Sequence, residues 1–388
     1  MEKMTNNEAS RKSILLAAEY RTLRSGNFIA SLLDLAETLR ESERNTVFLF
    51  PARKEGYPWA DWLRAKGFSV FFLADEMTAE EKLAFVKNLV ERYSVGVIHL
   101  HFGYLENLLL PVHNSLGTEL VIHDHFDFVT TRGQLRQRLS TMRKALQYRK
   151  YNAYCVSVME KKDRWYWLLG RKNHSFITNG LSLRRAEQDS LSAEERRKEI
   201  GLREGEKLVL FLGWDMIRKG LDIAIKAVEL FRKSDPSLKI GVIGVGSDGK
   251  PSERAERFLR ERGIDPFSDA ILYMHSYEDI FALNRAVDCF ISSSRAEAFS
   301  YGILEAISQN TPVVVSDIKG TSWCWDYTNC HVYAVEDPAD CAKALKKALE
   351  QGRAVSNSRS FTERYSNRIW SSRIIEVYDR LLSKERQA

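Results

Sequence analysis

Apolar and polar positions along this chain switch between two periods. Short apolar runs, the mark of buried strands, recur between stretches in which apolar residues return every three or four positions, the mark of amphipathic helices. In the first half, residues 13–20, 46–50, 68–73, 95–101 and 119–123 read as strands, followed by shorter ones at 153–158 and 175–177. Helices are predicted over 28–40 (Phe28, Leu32, Leu35 and Leu39 share a face), 59–66, 79–92 behind the cap Thr78, 105–113 and 134–150. Ser25-Gly26-Asn27 reads as a turn and helix cap.

A polar, charged stretch over 178–205 interrupts this rhythm and marks a domain boundary, drawn at 185/186. The pattern then restarts. Strands are predicted at 207–212, 239–243, 270–274, 288–291, 312–316 and 332–334, and helices at 220–233, 252–262, 280–286, 339–349 and 366–383. Two alternating strand–helix blocks imply two parallel-sheet α/β domains, 1–185 and 186–388. The last helix is allowed to return to the first. In open parallel sheets ligands bind beyond the carboxyl ends of the strands, so two such domains are expected to face a central cleft.

Composition narrows the class. The 388 residues are 44% hydrophobic and 28% charged, as in globular proteins, and no apolar run is long enough for a transmembrane helix. Residues 1–12 lack an apolar signal core, so secretion is not expected and a cytoplasmic location is. Cys155, Cys289, Cys324, Cys330 and Cys341 have no zinc-type spacing and read as reduced thiols. The net charge of +6 is uneven: residues 132–172 hold twelve Lys/Arg against Glu160 and Asp163, with Trp165, Tyr166, Trp167, Leu168 and Leu169 among them. That region reads as a solvated helix pair or as a peripheral contact with an anionic membrane or lipid-linked acceptor. No nucleic-acid-binding signature accompanies it.

Candidate chemistry gathers just after strands. Glu297 and Glu305 are eight positions apart across Ala298, Phe299, Ser300, Tyr301 and Gly302. Two fully helical residues at that spacing would diverge by about 80°. They converge only if Glu297 lies in a loop and Glu305 in a helix that starts near Ser300. The free amides of that helix start then form an anion site between two acids. Gly213-Trp-Asp-Met-Ile-Arg-Lys-Gly220 places Arg218 and Lys219 beside a helix opening, where a phosphate would make them favourable. Gly244-x-Gly246-x-x-Gly249 matches a dinucleotide fingerprint in letters, but Lys250-Pro251 delays the helix, so a glycine-rich turn lining a nucleotide site is expected instead. His99, His101, His123 and His125 share strand faces in pairs. No carboxylate or Cys completes a metal set, and they read as partners of a reacting sugar or phosphate, or as structural histidines.

These motifs resemble those of GT-B glycosyltransferases of family 4. The Glu297-x7-Glu305 pair, with Ala306 after it and Pro312-Val313 downstream, is similar to that family's signature, and 213–220 is similar to its Gly-Arg-x4-Lys-Gly element. The resemblance implies a retaining, metal-independent transferase without a cofactor, using a nucleotide-diphosphate sugar, and UDP-sugars first. It implies that Lys219, with Arg218, binds the diphosphate, that Glu305 takes the ribose and that Glu297 meets the donor sugar. Ser300, Tyr301 and Gly302 would face the phosphate or sugar, Met274, His275 and Tyr277 the base, and Gly213 and Gly246 the nucleotide. Gly26 would leave room for the diphosphate, and His125 or His123 would match the first-domain histidine. Acceptors implied are a glycan, glycolipid or glycoprotein. Trp214 stands where the family has Arg, so Arg218 substitutes only if it points inward. A catalytically weak helper subunit and a nucleotide-sugar epimerase stay open as rivals.

Overall fold

The computed structural model describes residues 12–125, 134–159, 173–184, 191–277, 280–353 and 356–384. The 185/186 boundary and the Trp165–Leu169 cluster lie outside the described residues. The chain divides into two compact units, one formed by Met1–Ser182 with Ser366–Ala388, the other by Leu183–Tyr365.

In the first unit β1 (Ser13–Ala18), β2 (Thr46–Pro51), β3 (Ser69–Leu73), β4 (Val95–His101), β5 (Glu119–Asp124), β6 (Tyr154–Ser157) and β7 (His174–Phe176) form one sheet. The order is β3-β2-β1-β4-β5-β6-β7, and every pairing is parallel. A parallel sheet is covered on both faces, which is why β1, β2 and β4 are buried throughout. Alternation along β1 divides its side chains between two cores. Ile14, Leu16 and Ala18 pack with Phe28, Leu32 and Leu35 of helix Gly26–Glu41, while Leu15 and Ala17 pack with Val86 and Leu89 of helix Ala79–Tyr93.

The terminal helix Asn367–Lys384 adds Trp370, Ile374, Val377, Tyr378 and Leu381 to the first of those cores. Each large apolar side chain fully buried this way contributes roughly 1.5–3 kcal/mol. The helix is seated by Asn367, whose Nδ2 donates to the Ser31 carbonyl at 3.1 Å and to Asp34 at 2.9 Å. Gly180 lies against it so closely that a Cβ there would stand 2.7 Å from Cα of Asn367.

The second unit repeats the plan. β8 (Lys207–Leu212), β9 (Leu238–Ile243), β12 (Ile271–Met274), β13 (Cys289–Ser292), β14 (Val313–Ser316) and β15 (Cys330–Tyr333) pair in parallel in the order β12-β9-β8-β13-β14-β15. A hairpin of β10 (Gly246–Ser247) and β11 (Lys250–Pro251) follows β9. Strand order reverses direction between β1 and β4 in one sheet and between β8 and β13 in the other, which is where doubly wound sheets leave a crevice.

Two expectations need correction. The helix expected over 105–113 is only one turn, Glu106–Leu109, followed by the 3-10 turn His113–Leu116. Pro111 offers no N–H to continue it, and Leu105 enters with φ +56°, a left-handed start. The polar stretch 178–205 is not all linker. Ser192 and Glu195 form a capping box that starts helix Ala193–Glu199. Arg197 then ties that helix to the Ala286 carbonyl at 2.6 Å and to Asp288 at 3.2 Å.

One arginine anchors the middle of the second unit. The Arg353 guanidinium donates to the carbonyls of Gln309, Asn284 and Val287 at 2.8, 2.5 and 2.6 Å and to the Thr311 hydroxyl at 3.0 Å. These include the last carbonyls of helix Ile280–Ala286, which have no partner within the helix. Burial pulls the Arg353 pKa below its usual range. Arg353→Ala is expected to lower the unfolding free energy by about 1–2 kcal/mol, because buried acceptors lose a charged donor that is itself partly open to solvent. Urea denaturation measures this; an unchanged midpoint would mean water replaces the guanidinium without loss.

Candidate nucleotide-sugar site

The switch point of the second sheet is built from two loops locked together through their backbones. The loop after β8 carries 213–220 and the loop after β13 carries 293–300. Gly220 joins the one-turn helix Met216–Lys219 to helix Leu221–Arg232 with φ +67°. A Cβ on Gly220 would stand 2.0 Å from the Ser293 carbonyl oxygen, so only glycine permits this approach. Ser293 Oγ donates to the carbonyls of Lys219 and Gly220 at 3.0 and 2.8 Å, and the Arg295 amide donates to the Arg218 carbonyl at 2.7 Å. Gly213 clears the path of the Lys219 stem, whose Cγ would be 2.7 Å from an added Cβ. Arg218 and Lys219 end this one-turn helix, where cations are favoured, and stand immediately before the opening of helix Leu221–Arg232, as expected from the sequence.

Lys219 therefore meets Glu297. The two form a close ion pair, and Arg218 Nη1 lies 3.7 Å from the same carboxylate. Asp215 holds Arg218 in that direction, accepting from its Nε at 3.2 Å and from its amide at 3.1 Å. Glu297 lies in the loop, and helix Tyr301–Ser308 begins immediately after Ser300, whose Oγ faces the Ile303 amide. Glu305 lies within that helix and is 6% exposed. Lys219, Arg218, Glu297, Ser300, Tyr301, Gly302 and Glu305 all line one hollow of about 290 Å³, together with Trp214 and Phe299. Trp214 is 67% exposed, a flat apolar face at the mouth. Two acids, two cations and a helix start on one hollow can hold an anion flanked by hydroxyl-bearing groups.

Other expected residues fall elsewhere. Gly246 sits in the β10–β11 hairpin, where a Cβ would meet the Lys250 carbonyl at 2.3 Å, and it does not line the hollow. Lys250-Pro251 makes the hairpin and so explains the false fingerprint. Met274 is buried at the end of β12, and the rings of His275 and Tyr277 lie 4.2 Å apart, tilted by 33°. None of the three lines the hollow. In the first unit Gly26 opens its helix at φ +55°, with the Tyr20 hydroxyl 3.1 Å from where a Cβ would be. His123 is 1% exposed with its ring stacked 4.3 Å from that of His125, so its burial withdraws it from substrate. His125 is half-buried beside Phe28 and Phe102. Burial keeps these imidazoles neutral, pushing His125 down to about 3.

Two residues that build the hollow were not foreseen. A Cβ on Gly320 would overlap the Glu297 carbonyl oxygen at 1.7 Å, so Gly320 is the seat of the Glu297 backbone. Trp323, three residues on, stacks on Phe299 at 4.3 Å and 18°. Both come from the 3-10 turn Lys319–Cys324 after β14, and an isolated Gly in a loop is the sole sequence sign of it.

Comparison with known proteins agrees with this geometry. Residues 192–367 match the family described as glycosyl transferases group 1. The D-inositol 3-phosphate glycosyltransferase of Corynebacterium kroppenstedtii is 27% identical over 203 residues, 50% of this chain and 45% of the relative. The lipopolysaccharide core biosynthesis mannosyltransferase LpsB of Rhizobium meliloti is 25% identical over 201 residues, 50% of this chain and 56% of that one. The chain thus spans about half the length of the curated relatives it matches. In three dimensions the Anabaena Alr3699/HepE structure with UDP-glucose aligns with a TM-score of 0.75 at 15% identity, covering 94% of this chain and 99% of that one. Both sheets are those of the GT-B fold, and residues 192–367 are similar to the glycosyl transferases group 1 family.

Proposed function

We propose that the chain is a retaining glycosyltransferase of the family 4 type. It moves a hexose-type sugar from a nucleotide-diphosphate sugar to a glycan, lipid-linked or protein acceptor, without metal or cofactor. The observation that carries this reading is the convergence of Lys219, Arg218, Glu297, Glu305 and the start of helix Tyr301–Ser308 on one hollow. The UDP-glucose bound by the Anabaena neighbour favours a uridine donor.

Departure of a diphosphate builds negative charge on the bridging oxygen. Lys219 and Arg218 stand where such charge would be met, and the amides of the helix start add fixed dipoles. The cations replace the charge a metal would otherwise bring. Lys219 is held by Glu297, so a diphosphate draws it partly away and frees Glu297 to take sugar hydroxyls. That exchange ties cation placement to donor arrival. Glu305 accepts from the ribose hydroxyls. The helper-subunit reading draws on Trp214, which occupies the position of an expected cation; donor binding without turnover would favour it.

The chain is further proposed to act in the cytoplasm and to touch an anionic membrane. No helix among the described residues is long and apolar enough to cross one. Helix Gln134–Lys150 has no acidic residue, carries Arg136, Arg138, Arg143, Lys144, Arg149 and Lys150, and exposes Leu139 and Leu146 seven positions apart. Basic residues with an exposed apolar pair suit a headgroup surface.

Three measurements test these roles. Glu305→Ala should weaken UDP binding about tenfold or more, the loss of a charged hydrogen bond; equal affinity by calorimetry would remove Glu305 from the ribose. Lys219→Ala should cut turnover of UDP-glucose by about 10²-fold. A near-normal rate would place the developing charge elsewhere, and the anomeric proton of the product, read by NMR, reports retention directly. Leu139→Glu with Leu146→Glu should abolish sedimentation with phosphatidylglycerol vesicles while leaving the circular dichroism spectrum unchanged. Sedimentation equal to that of the unsubstituted chain would assign the helix to solvent.

A further inference from the structure

The histidines at the ends of β4 and β5 include three that the proposed sugar chemistry does not use. His99 and His101 project from one face of β4, and His123 lies on β5 in register with His101. His99 and His101 are fully buried and His123 nearly so. One ring nitrogen from each of the three lies within 4.8 Å of the others. The far sides of two rings are already engaged: Nδ1 of His99 is 2.6 Å from the Tyr378 hydroxyl, and Nδ1 of His101 is 2.8 Å from Nε2 of His125.

A neutral imidazole owns one N–H and one lone pair. If Nδ1 of His99 donates to Tyr378 and Nδ1 of His101 donates to His125, each Nε2 is a lone pair. Nε2 of His101 is buried with no hydrogen-bond partner. Orphaned buried nitrogens are rare in folded proteins and call for an explanation. Imidazoles that ligate metals are held in this manner, with the second ring nitrogen donating to a neighbour that fixes the tautomer. Two ligands about 2.0 Å from a tetrahedral ion are ~3.3 Å apart, and Nε2 of His99 stands 3.2 Å from Nδ1 of His123.

We propose that His99, His101 and His123 bind one d10 transition-metal ion, Cu+ or Zn2+, as a clamp between β4 and β5. All three ligands are neutral and the group contains no carboxylate or thiolate, so the ion's charge stays uncompensated in a dry interior. The solvation cost of a buried ion grows with the square of its charge, which favours Cu+. Zn2+ is the other d10 ion suited to imidazole. The clamp lies in the first unit and is independent of the roles of Glu297 and Lys219 in the second.

The test uses the full chain. It is stripped with chelator, offered Cu+ under anaerobic conditions or Zn2+ in a parallel arm, desalted, and read by elemental mass spectrometry and X-ray absorption. The expected result is one ion per chain in at least one arm, with a shell of nitrogens at about 2.0–2.1 Å, and at least tenfold weaker binding in His101→Gln and His123→Gln. The arm that loads identifies the ion. No retained metal in either arm overturns the proposal, as does a sulfur shell at about 2.3 Å, which would point to the cysteines, or unchanged loading of both variants. The absorption spectrum is read on the unsubstituted chain, so it identifies the ligand shell even where a variant fails to fold.

Discussion

The candidate site depends on one close approach. Gly220 brings its backbone against the carbonyl of Ser293, and no side chain fits between them. That contact fixes the loop after β8 onto the loop after β13, and Ser293 Oγ and the Arg295 amide complete the lock. Arg218, Lys219 and Glu297 inherit their positions from it. Lys219 precedes Gly220 by one residue and Glu297 follows Ser293 by four, so the ion pair between them is a product of backbone geometry before it is one of charge.

The electrostatics of the hollow are balanced within it. Glu297 answers Lys219 and Arg218, and Asp215 answers Arg218 from the other side. Half-buried charges held by one another resist solvation changes yet can be re-paired by an incoming anion with little rearrangement. Phe299 and Trp323 support this arrangement from the apolar side, and Gly320 allows the Glu297 backbone to sit flush on the turn after β14. Three loops after three strands, β8, β13 and β14, thus supply cation, acid and seat.

Much of this was legible because it is local. Strand positions follow from apolar runs, and the placement of Glu297 before and Glu305 within a helix follows from helical angle and the capping tendency of Ser300. Lys219 could be singled out from its glycine neighbours. What was illegible is what distant segments do to one another. Gly320 gives no local sign that its missing Cβ faces the Glu297 carbonyl, 23 positions away in sequence. Gly246 carries the right letters but spends its freedom on a hairpin, because Lys250-Pro251 follows. Helix Ala193–Glu199 hid within a polar stretch because its inward face is formed by arginine stems rather than by a stripe of leucines. The burial that separates His123 from His125 is likewise a property of the stacked strands, since both residues carry the same side chain on the same strand face.

The terminal helix has a consequence for the order in which the molecule is made. Trp370, Ile374, Val377 and Tyr378 complete a core begun by Ile14 and Leu16, so that core stays open until residues 370–378 have been synthesised. The unit from Leu183 to Tyr365 is continuous and has all its own strands before then. A ribosome-bound chain would therefore hold a finished second unit while the first is incomplete, and the apolar surface that the last helix later covers is what a chaperone would have to shield.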